Sequence, residues 1–180
     1  MARLYTAKGD AGTTGVFGGP RVSKDHLRIR ALGDVDEANA AIGLALAFQT
    51  DEKVIAVLRN AQNTLFTVGA EVGSRPKTKV PRITANHVQT LEHAMEVLDV
   101  GEITEFVMPR GPPGVASLHF ARTVVRRAER SCVALNQTEK VNPEVLRYVN
   151  RLSSFLFQAA VWVQRAEKGL DEHPTYEPPD

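Results

Sequence analysis

The chain has 180 residues, of which 43% are hydrophobic and 24% charged, as is usual for a soluble globular protein. Its net charge of +1 gives no overall attraction to nucleic acid or to a membrane surface, and its single cysteine, Cys132, excludes an internal disulfide. No apolar run approaches the roughly 18 residues of a membrane span, and no signal-peptide core begins the chain. We therefore expect a cytoplasmic enzyme or binding protein with one domain over 1–180.

Residues 1–33 lack helical periodicity and are rich in glycine, threonine and lysine. Free backbone N–H groups, hydroxyls and ammonium groups are the components of an anion-binding cradle. The spacing matches neither the P-loop nor the Gly-x-Gly-x-x-Gly dinucleotide motif. A flexible N-terminal arm is therefore the alternative interpretation.

Helical periodicity begins after this arm. Asp34 and Glu37 have the N-cap and N3 spacing of a capping box, which predicts that the first helix begins at Asp34. Asp36 would then lie in the first turn, where it either complements the helix dipole or reaches an arginine on another element. Asp51 and Thr84 are expected to cap the second and third helices.

Two longer helices follow. The fourth is predicted to begin at Pro113 or Gly114 and to continue to Leu135, and the fifth to begin at Pro143 and to run to about Lys168. We find no convincing strand. The sequence therefore predicts an all-α five-helix bundle over 34–168, a non-helical glycine-rich arm over 1–33 and a polar, proline-rich tail over 169–180.

The fourth helix carries a line of basic residues. His119, Arg122, Arg126 and Arg130 recur at spacings of three and four, which places them on one face. Like charges at i,i+4 repel, so an anion or a carboxylate lying across this face would explain the pattern. The alternative is an ordinary solvated basic face. Asn150, inside the fifth helix, is either a hydrogen-bonding residue or a surface residue.

Six motifs occur in the order and spacing of a known enzyme family. They are YTAKGDAGTTG at 5–15, RVSKD at 21–25, GDVDE at 33–37, LHFAR at 118–122, RRAER at 126–130 and YVNRLS at 148–153. They resemble the PduO-type ATP:cob(I)alamin adenosyltransferases, which make adenosylcobalamin, and the resemblance extends over nearly the whole chain. In the loop before the fourth helix, Arg110, Pro112 and Pro113 depart from the family's Pro-Gly-Gly-Ser/Thr pattern.

The resemblance implies a five-helix bundle that assembles as a homotrimer, with active sites at the subunit interfaces. It implies that the arm wraps the ATP phosphates through Thr6, Ala7, Lys8, Gly9, Thr14, Gly15 and Lys24. It also implies ATP contacts from the bundle through Arg126, Arg127, Glu129, Arg130 and Asn150. The tail beyond Asp171 resembles the segment that helps close the cobalamin site.

The implied reaction transfers the 5′-deoxyadenosyl group of ATP to cob(I)alamin and releases triphosphate, with Mg²⁺ on the phosphates. The residues expected to take part in catalysis are Phe106, Arg122, Asp36 and Arg126, and no protein-held metal is predicted. Asp36 and Arg122 would form a salt bridge between subunits. Phe106 would lie at the lower face of the corrin and keep an axial ligand away from cob(II)alamin; the alternative is an ordinary core aromatic.

Other functions are compatible with the same helices. The bundle could be a non-catalytic carrier of corrinoid or nucleotide, or a helical RNA-binding module. The low net charge and the lack of an aromatic stacking array disfavour RNA, and we predict neither nucleic-acid nor membrane partners. A reductase and an adenosylcobalamin-dependent mutase are the protein partners that the resemblance suggests.

Overall fold

The computed structural model describes residues 5–168 and 171–176, and within them five helices follow a small hairpin. Strands β1 (Thr13–Thr14) and β2 (Val22–Ser23) pair antiparallel. The helices are α1 (Leu27–Leu46), α2 (Glu52–Val72), α3 (Ala85–Val97), α4 (Pro113–Thr138) and α5 (Pro143–Lys168). The predicted all-α bundle is confirmed, but the two short strands were not predicted. Parts of the predicted arm and tail, residues 1–4, 169, 170 and 177–180, lie outside the described residues.

The first helix begins at Leu27, so the predicted start at Asp34 is wrong. His26 is its N-cap, and the imidazole Nδ1 of His26 accepts a hydrogen bond from the backbone N–H of Arg28 at 3.2 Å. Asp34 and Glu37 therefore lie inside the helix, and their spacing does not form a capping box. Residues 27–33, which were assigned to the arm, are helical.

Long-range contacts of Arg28 explain the earlier start. Its side chain is almost fully buried and donates hydrogen bonds to the carbonyl oxygens of Val72 and Ser74. It also pairs with Glu139 at 2.7 Å. The hydrogen bond between Arg28 and Glu139 is the main reason why the pKa of the Glu139 carboxyl is lowered. Arg28 thus ties the first turn of α1 to the ends of α2 and α4.

The other helix starts agree with the sequence. The carboxylate of Asp51 accepts hydrogen bonds from the first N–H groups of α2, and Thr84 forms a capping box with His87 at the start of α3. Pro113 is the first residue of α4, and the side chain of Asn142 accepts a hydrogen bond from a first-turn N–H of α5. These signals act within one turn of the chain, so they can be found from the sequence.

The helices pack side by side in the order α2, α1, α4, α5, α3. Fully buried side chains from several helices fill the centre, the largest being Tyr148 and Phe155 of α5 and Ile42 of α1. Cys132 is also buried in this core, and burial, with the charges of Asp34 and Glu129, raises the pKa of its thiol to about 12. None of the helices in the described part of the chain combines the length and apolarity that a bilayer span requires.

Candidate functional site

A large groove lies where α4 and α5 meet the loop between α3 and α4. Two adjoining cavities of about 610 and 540 Å³ form it, and both are lined by Ile103, Phe106, Arg122 and Phe157. We call this region the Phe106 groove. Its volume is in the range of sites for small molecules and cofactors.

Phe106 is the exposed aromatic of this groove. Its side chain is 79% exposed, although a phenylalanine usually gains stability by burial. The interpretation of Phe106 as an ordinary core residue is therefore wrong for the isolated chain. The ring is available to a ligand that enters the groove, whereas Phe157, from α5, forms the half-buried floor.

Arg122 lies beside this floor and lacks a full set of partners. Its guanidinium carbon is 5.9 Å from the centroid of the Phe157 ring. Its Nε is buried and has no hydrogen-bond partner within 5–168 and 171–176. Burial, together with the nearby charge of Arg126, lowers the pKa of Arg122. A buried donor without an acceptor costs about 1–3 kcal/mol, so this arrangement favours an acceptor supplied from outside the chain.

His119 lies next to Arg122 on the same side of α4, as its spacing predicted, but it is buried, unlike Arg126 and Arg130. Its side chain is 2% exposed, and its ring centroid lies 6.2 Å from that of Phe157. Burial is the main cause, with the charge of Arg122 second, of a pKa lowered to about 4. His119 is therefore neutral at pH 7 and lies behind the groove.

The RRAER motif is divided between two faces of α4. Arg126 is exposed and lines the 540 Å³ cavity with Ser153 and Ser154. Arg127, the next residue, turns to α1, where it pairs with Glu37 and lies 3.7 Å from Asp34. Adjacent helix positions are about 100° apart, which explains this division.

Glu129 and Asn150 form a polar link between α4 and α5. The side-chain amide of Asn150 donates a hydrogen bond to Glu129 Oε1 at 2.7 Å. Asn150 is therefore both hydrogen-bonded and exposed, so both alternatives drawn from the sequence describe it. Arg130, one turn from Arg126, is exposed, and no hydrogen bond or ion pair of its side chain occurs within the described residues.

A second groove of about 720 Å³ lies on another face, between α1 and α2. We call it the α1–α2 groove. Exposed rings of Phe17 and Phe66 and the side chains of Leu32 and Asp36 line it. Asp36 is exposed, and in the described part of the chain its carboxylate makes no ion pair. The structure therefore does not bring Asp36 and Arg122 together within one chain.

The arm is held beside the α1–α2 groove. Phe17 forms a backbone bridge with Ser74, and its carbonyl oxygen accepts a hydrogen bond from the N–H of Arg75 at 3.1 Å. Of the predicted phosphate contacts, Thr14 and Gly15 lie at the end of β1, and Gly15 lines the α1–α2 groove. Across the described residues, no hydrogen bond or ion pair joins the arm to Arg126 or Arg130.

The remaining predicted phosphate contacts surround a tight turn. Thr6, Ala7 and Lys8 are exposed, and Ala7 has φ +56°, a left-handed conformation that is uncommon for alanine. Such strain is often found at ligand-binding loops. A Cβ placed on Gly9 would lie 3.4 Å from Lys24 Nζ, so the ammonium group of Lys24 lies against this turn.

Arg21 organises the arm and was not singled out from the sequence. Its guanidinium donates to the carbonyl oxygens of Lys8 and Thr13, both at 2.7 Å. Its Nε also donates to Thr13 Oγ1 at 3.2 Å. Two lysines and an arginine therefore converge on one exposed turn, as expected for a site that binds a polyanion. The position of Arg21 in the RVSKD motif was the available signal.

The chain is similar to known proteins of one family. The family described as cobalamin adenosyltransferase matches residues 4–163. A corrinoid adenosyltransferase of Bacillus subtilis is 39% identical over 176 residues, covering 94% of this chain and 90% of the relative. One from Mycobacterium tuberculosis strain H37Rv is 43% identical over 166 residues, covering 87% and 86%. A variant PduO-type ATP:corrinoid adenosyltransferase from Lactobacillus reuteri, complexed with cobalamin and ATP, aligns with a TM-score of 0.87 at 28% identity, covering 98% of this chain and 100% of that structure.

Proposed function

The chain belongs to the cobalamin adenosyltransferase family, and we propose that its active site is completed between neighbouring subunits of a homotrimer. It catalyses the ATP-dependent adenosylation of cobalamin. The structure adds a specific arrangement to this activity. The two grooves lie on different faces of one chain. The exposed carboxylate of Asp36 lines the α1–α2 groove, whereas Arg122 and Arg126 line the Phe106 groove.

The observation that carries the proposal is the incomplete pairing of Arg122. Its buried Nε needs an acceptor, and Asp36 is an exposed carboxylate at the edge of the α1–α2 groove. Docking the α1–α2 groove of one subunit on the Phe106 groove of the next would supply the missing salt bridge. Contact between two different faces is a heterologous interface, which closes into a ring when the rotation fits. A ring of three subunits would have three equivalent sites.

In such a ring, the triphosphate of ATP would lie between the arm of one subunit and the arginine face of the next. Lys8 and Lys24 would approach from the arm, and Arg126 and Arg130 from α4. Charge-assisted hydrogen bonds to phosphate are stronger than neutral ones. Of the other predicted ATP contacts, Glu129 and Asn150 join α4 to α5, and Arg127 pairs with α1, so we assign these three to shaping the site.

Mg²⁺ would bind through the phosphate oxygens. The described residues contain no group of three or more histidine, cysteine, aspartate or glutamate side chains that could hold a metal. Magnesium usually binds substrate phosphates with few protein carboxylates, so this surface fits an ion that arrives with ATP. Bound there, Mg²⁺ would neutralise charge on the leaving triphosphate.

Cobalamin would occupy the Phe106 groove. In the transfer, the electron pair of cob(I)alamin attacks C5′ of ATP, the cobalt–carbon bond forms, and the C5′–O bond breaks as triphosphate leaves with its electron pair. No protein nucleophile or general base is required. The chain would position the two substrates and place cationic side chains against the leaving triphosphate. The exposed Phe106 ring would exclude the lower axial ligand.

We also propose the domain organisation, the compartment and the protein partners of the enzyme. The chain would act as one domain over 1–180, with the arm binding ATP and the tail beyond Asp171 closing the cobalamin site. It would work in the cytoplasm, receive electrons from a reductase and pass adenosylcobalamin to a dependent mutase. Neither nucleic acid nor membrane is proposed as a partner.

Turnover with ATP, cob(II)alamin and a chemical reductant tests the activity. Formation of the cobalt–carbon bond, followed by absorbance, is the expected result. A carrier would bind both substrates without forming that bond, and this outcome would refute catalysis.

Subunit mixing tests the shared site. Lys8→Ala/Lys24→Ala removes the two lysine ammonium groups of the arm, and Arg126→Ala/Arg130→Ala removes both guanidinium groups assigned to the phosphates on the opposite face, so each double variant alone should be nearly inactive. After dissociation and random reassembly at equal amounts, about one quarter of the interfaces should combine two intact faces and recover activity. If each site lay within one chain, the mixture would remain as inactive as its components.

A further inference from the structure

The described part of the tail, residues 171–176, is anchored to the Phe106 loop at successive residues. Asp171 pairs with Arg165 of α5, and its side chain is only 8% exposed. The carbonyl oxygen of Glu172 accepts a hydrogen bond from the N–H of Met108 at 2.8 Å. These contacts hold the tail between the end of α5 and the loop that carries Phe106.

Two side-chain contacts complete this attachment. Arg110 Nε donates to the carboxylate of Glu172 at 2.7 Å. His173 Nδ1 donates to the carbonyl oxygen of Phe106 at 3.0 Å and lies 3.7 Å from the carboxylate of Glu105. The tail therefore contacts the loop at positions 106, 108 and 110.

These contacts act on the backbone of Phe106. The ring is 79% exposed, so packing within the chain does little to fix it. Instead, the carbonyl group of Phe106 is held by His173. The tail also supplies Pro174 and Tyr176 to the 610 Å³ cavity, which the Phe106 side chain lines as well. Loss of the attachment would therefore move two walls of the same cavity.

We propose that Arg110 and His173 are positioning residues, which with Glu172 form a latch that fixes Phe106 against the corrin. The inference rests on the proposed role of Phe106. Arg110 stands where the family pattern has glycine, and a glycine could not make this ion pair. Since Arg110 is well exposed, its ion pair alone contributes little. The latch depends on its combination with the two hydrogen bonds to the loop backbone.

Substitutions at 173 separate the hydrogen bond from side-chain bulk. His173→Leu removes the donor, whereas His173→Asn keeps an N–H group near the position of Nδ1. Arg110→Gln removes the charge of the ion pair. The control is Arg147→Gln, which breaks an exposed arginine–glutamate pair on α5, remote from the latch.

Amide hydrogen exchange of the substrate-free protein measures the latch without any corrin. His173→Leu should accelerate exchange of the Met108 amide by roughly two- to tenfold, the effect of one lost hydrogen bond, whereas Arg110→Gln, which breaks an exposed ion pair, should accelerate it by only about twofold. His173→Asn and Arg147→Gln should exchange like the wild type. Unchanged Met108 exchange in both latch variants, with α5 amides as the internal standard, would show that no latch exists.

Steady-state kinetics and Co(II) spectroscopy measure its effect on the reaction. The two latch variants should raise KM for cobalamin by roughly two- to tenfold, leave KM for ATP unchanged and lower the four-coordinate fraction of bound cob(II)alamin. His173→Asn should restore both cobalamin readouts. Faster Met108 exchange with unchanged cobalamin readouts would refute positioning. Absence of adenosylcobalamin with the wild type would instead refute the proposed function, and amide exchange would still decide whether the latch exists.

Discussion

Phe106→Ala tests whether Phe106 excludes an axial ligand or only packs in the core, because the ring is exposed in the isolated chain. A phenylalanine side chain buries about 200 Å² when fully enclosed, and at 79% exposure only about 40 Å² of that is covered. At about 25 cal/mol per Å², truncation should cost about 1 kcal/mol of folding free energy. A core phenylalanine would cost about 3–5 kcal/mol. The melting temperature should therefore fall by only about 2–4 °C.

The effect on activity should be much larger, and it should depend on the oxidation state of the substrate. With alanine at 106, an axial ligand can return to the lower face, and cob(II)alamin becomes harder to reduce. We expect a strong loss in the assay that starts from cob(II)alamin, a small loss in the assay that starts from chemically prepared cob(I)alamin, and unchanged ATP binding. Phe106→Leu and Phe106→Trp should keep part of the activity because both side chains fill the volume.

Phe120→Ala is the matched control. Phe120 is 52% exposed on α4 and lines neither groove, so its truncation should spare both assays. Equal losses of the Co(II) and Co(I) activities in Phe106→Ala would refute ligand exclusion. A drop in melting temperature as large as for a core residue would refute the exposed placement of the ring.

Three further outcomes are expected. Arg126→Ala should lower kcat/KM for ATP by about 10- to 150-fold, the effect of losing about 1.5–3 kcal/mol of charge-assisted binding, and unchanged ATP kinetics would contradict the phosphate contact. Asp36→Asn and Arg122→Gln should show a coupling energy above about 1 kcal/mol in a double-mutant cycle of assembled protein; additive effects would argue against their salt bridge. The pKa of His119 is lowered from 6.5 to about 4 in the folded chain, so the unfolded chain binds this proton first as the pH falls. The free energy of unfolding should therefore fall by about 3 kcal/mol between pH 6.5 and pH 4. Urea unfolding should show a flatter pH dependence for His119→Gln, whereas the exposed His93→Gln should retain it.

Features encoded within one turn could be predicted from the sequence. Asp51 and Asn142 cap their helices as their spacing indicated, because the acceptor and the N–H groups it satisfies are neighbours in the chain. The start of α1 was missed for the opposite reason. Its first turn is stabilised through Arg28 by carbonyl groups of Val72 and Ser74, more than 40 residues away. The sequence pattern near Asp34 carried no trace of these partners.

The candidate site shows the same division. The motifs predicted a set of site residues, but Arg126 and Arg127 are adjacent in sequence and only Arg126 lines the Phe106 groove. Phe157 was not singled out, although its spacing from Asn150 and Ser154 places it on the same face of α5. The tail contact of His173 with Phe106 spans 67 residues and had no local signal.

The sequence by itself determined the helical class, most helix starts, the basic residues of α4 and the family motifs, because periodicity, capping and motif spacing are properties of neighbouring residues. Tertiary structure alone decided which side chains are buried, paired or exposed. It buried His119, turned Arg127 to α1, left Phe106 exposed and gave Arg122 Nε no acceptor among the described residues. These outcomes depend on which helices pack together, and side chains distant in sequence meet only after that packing has formed.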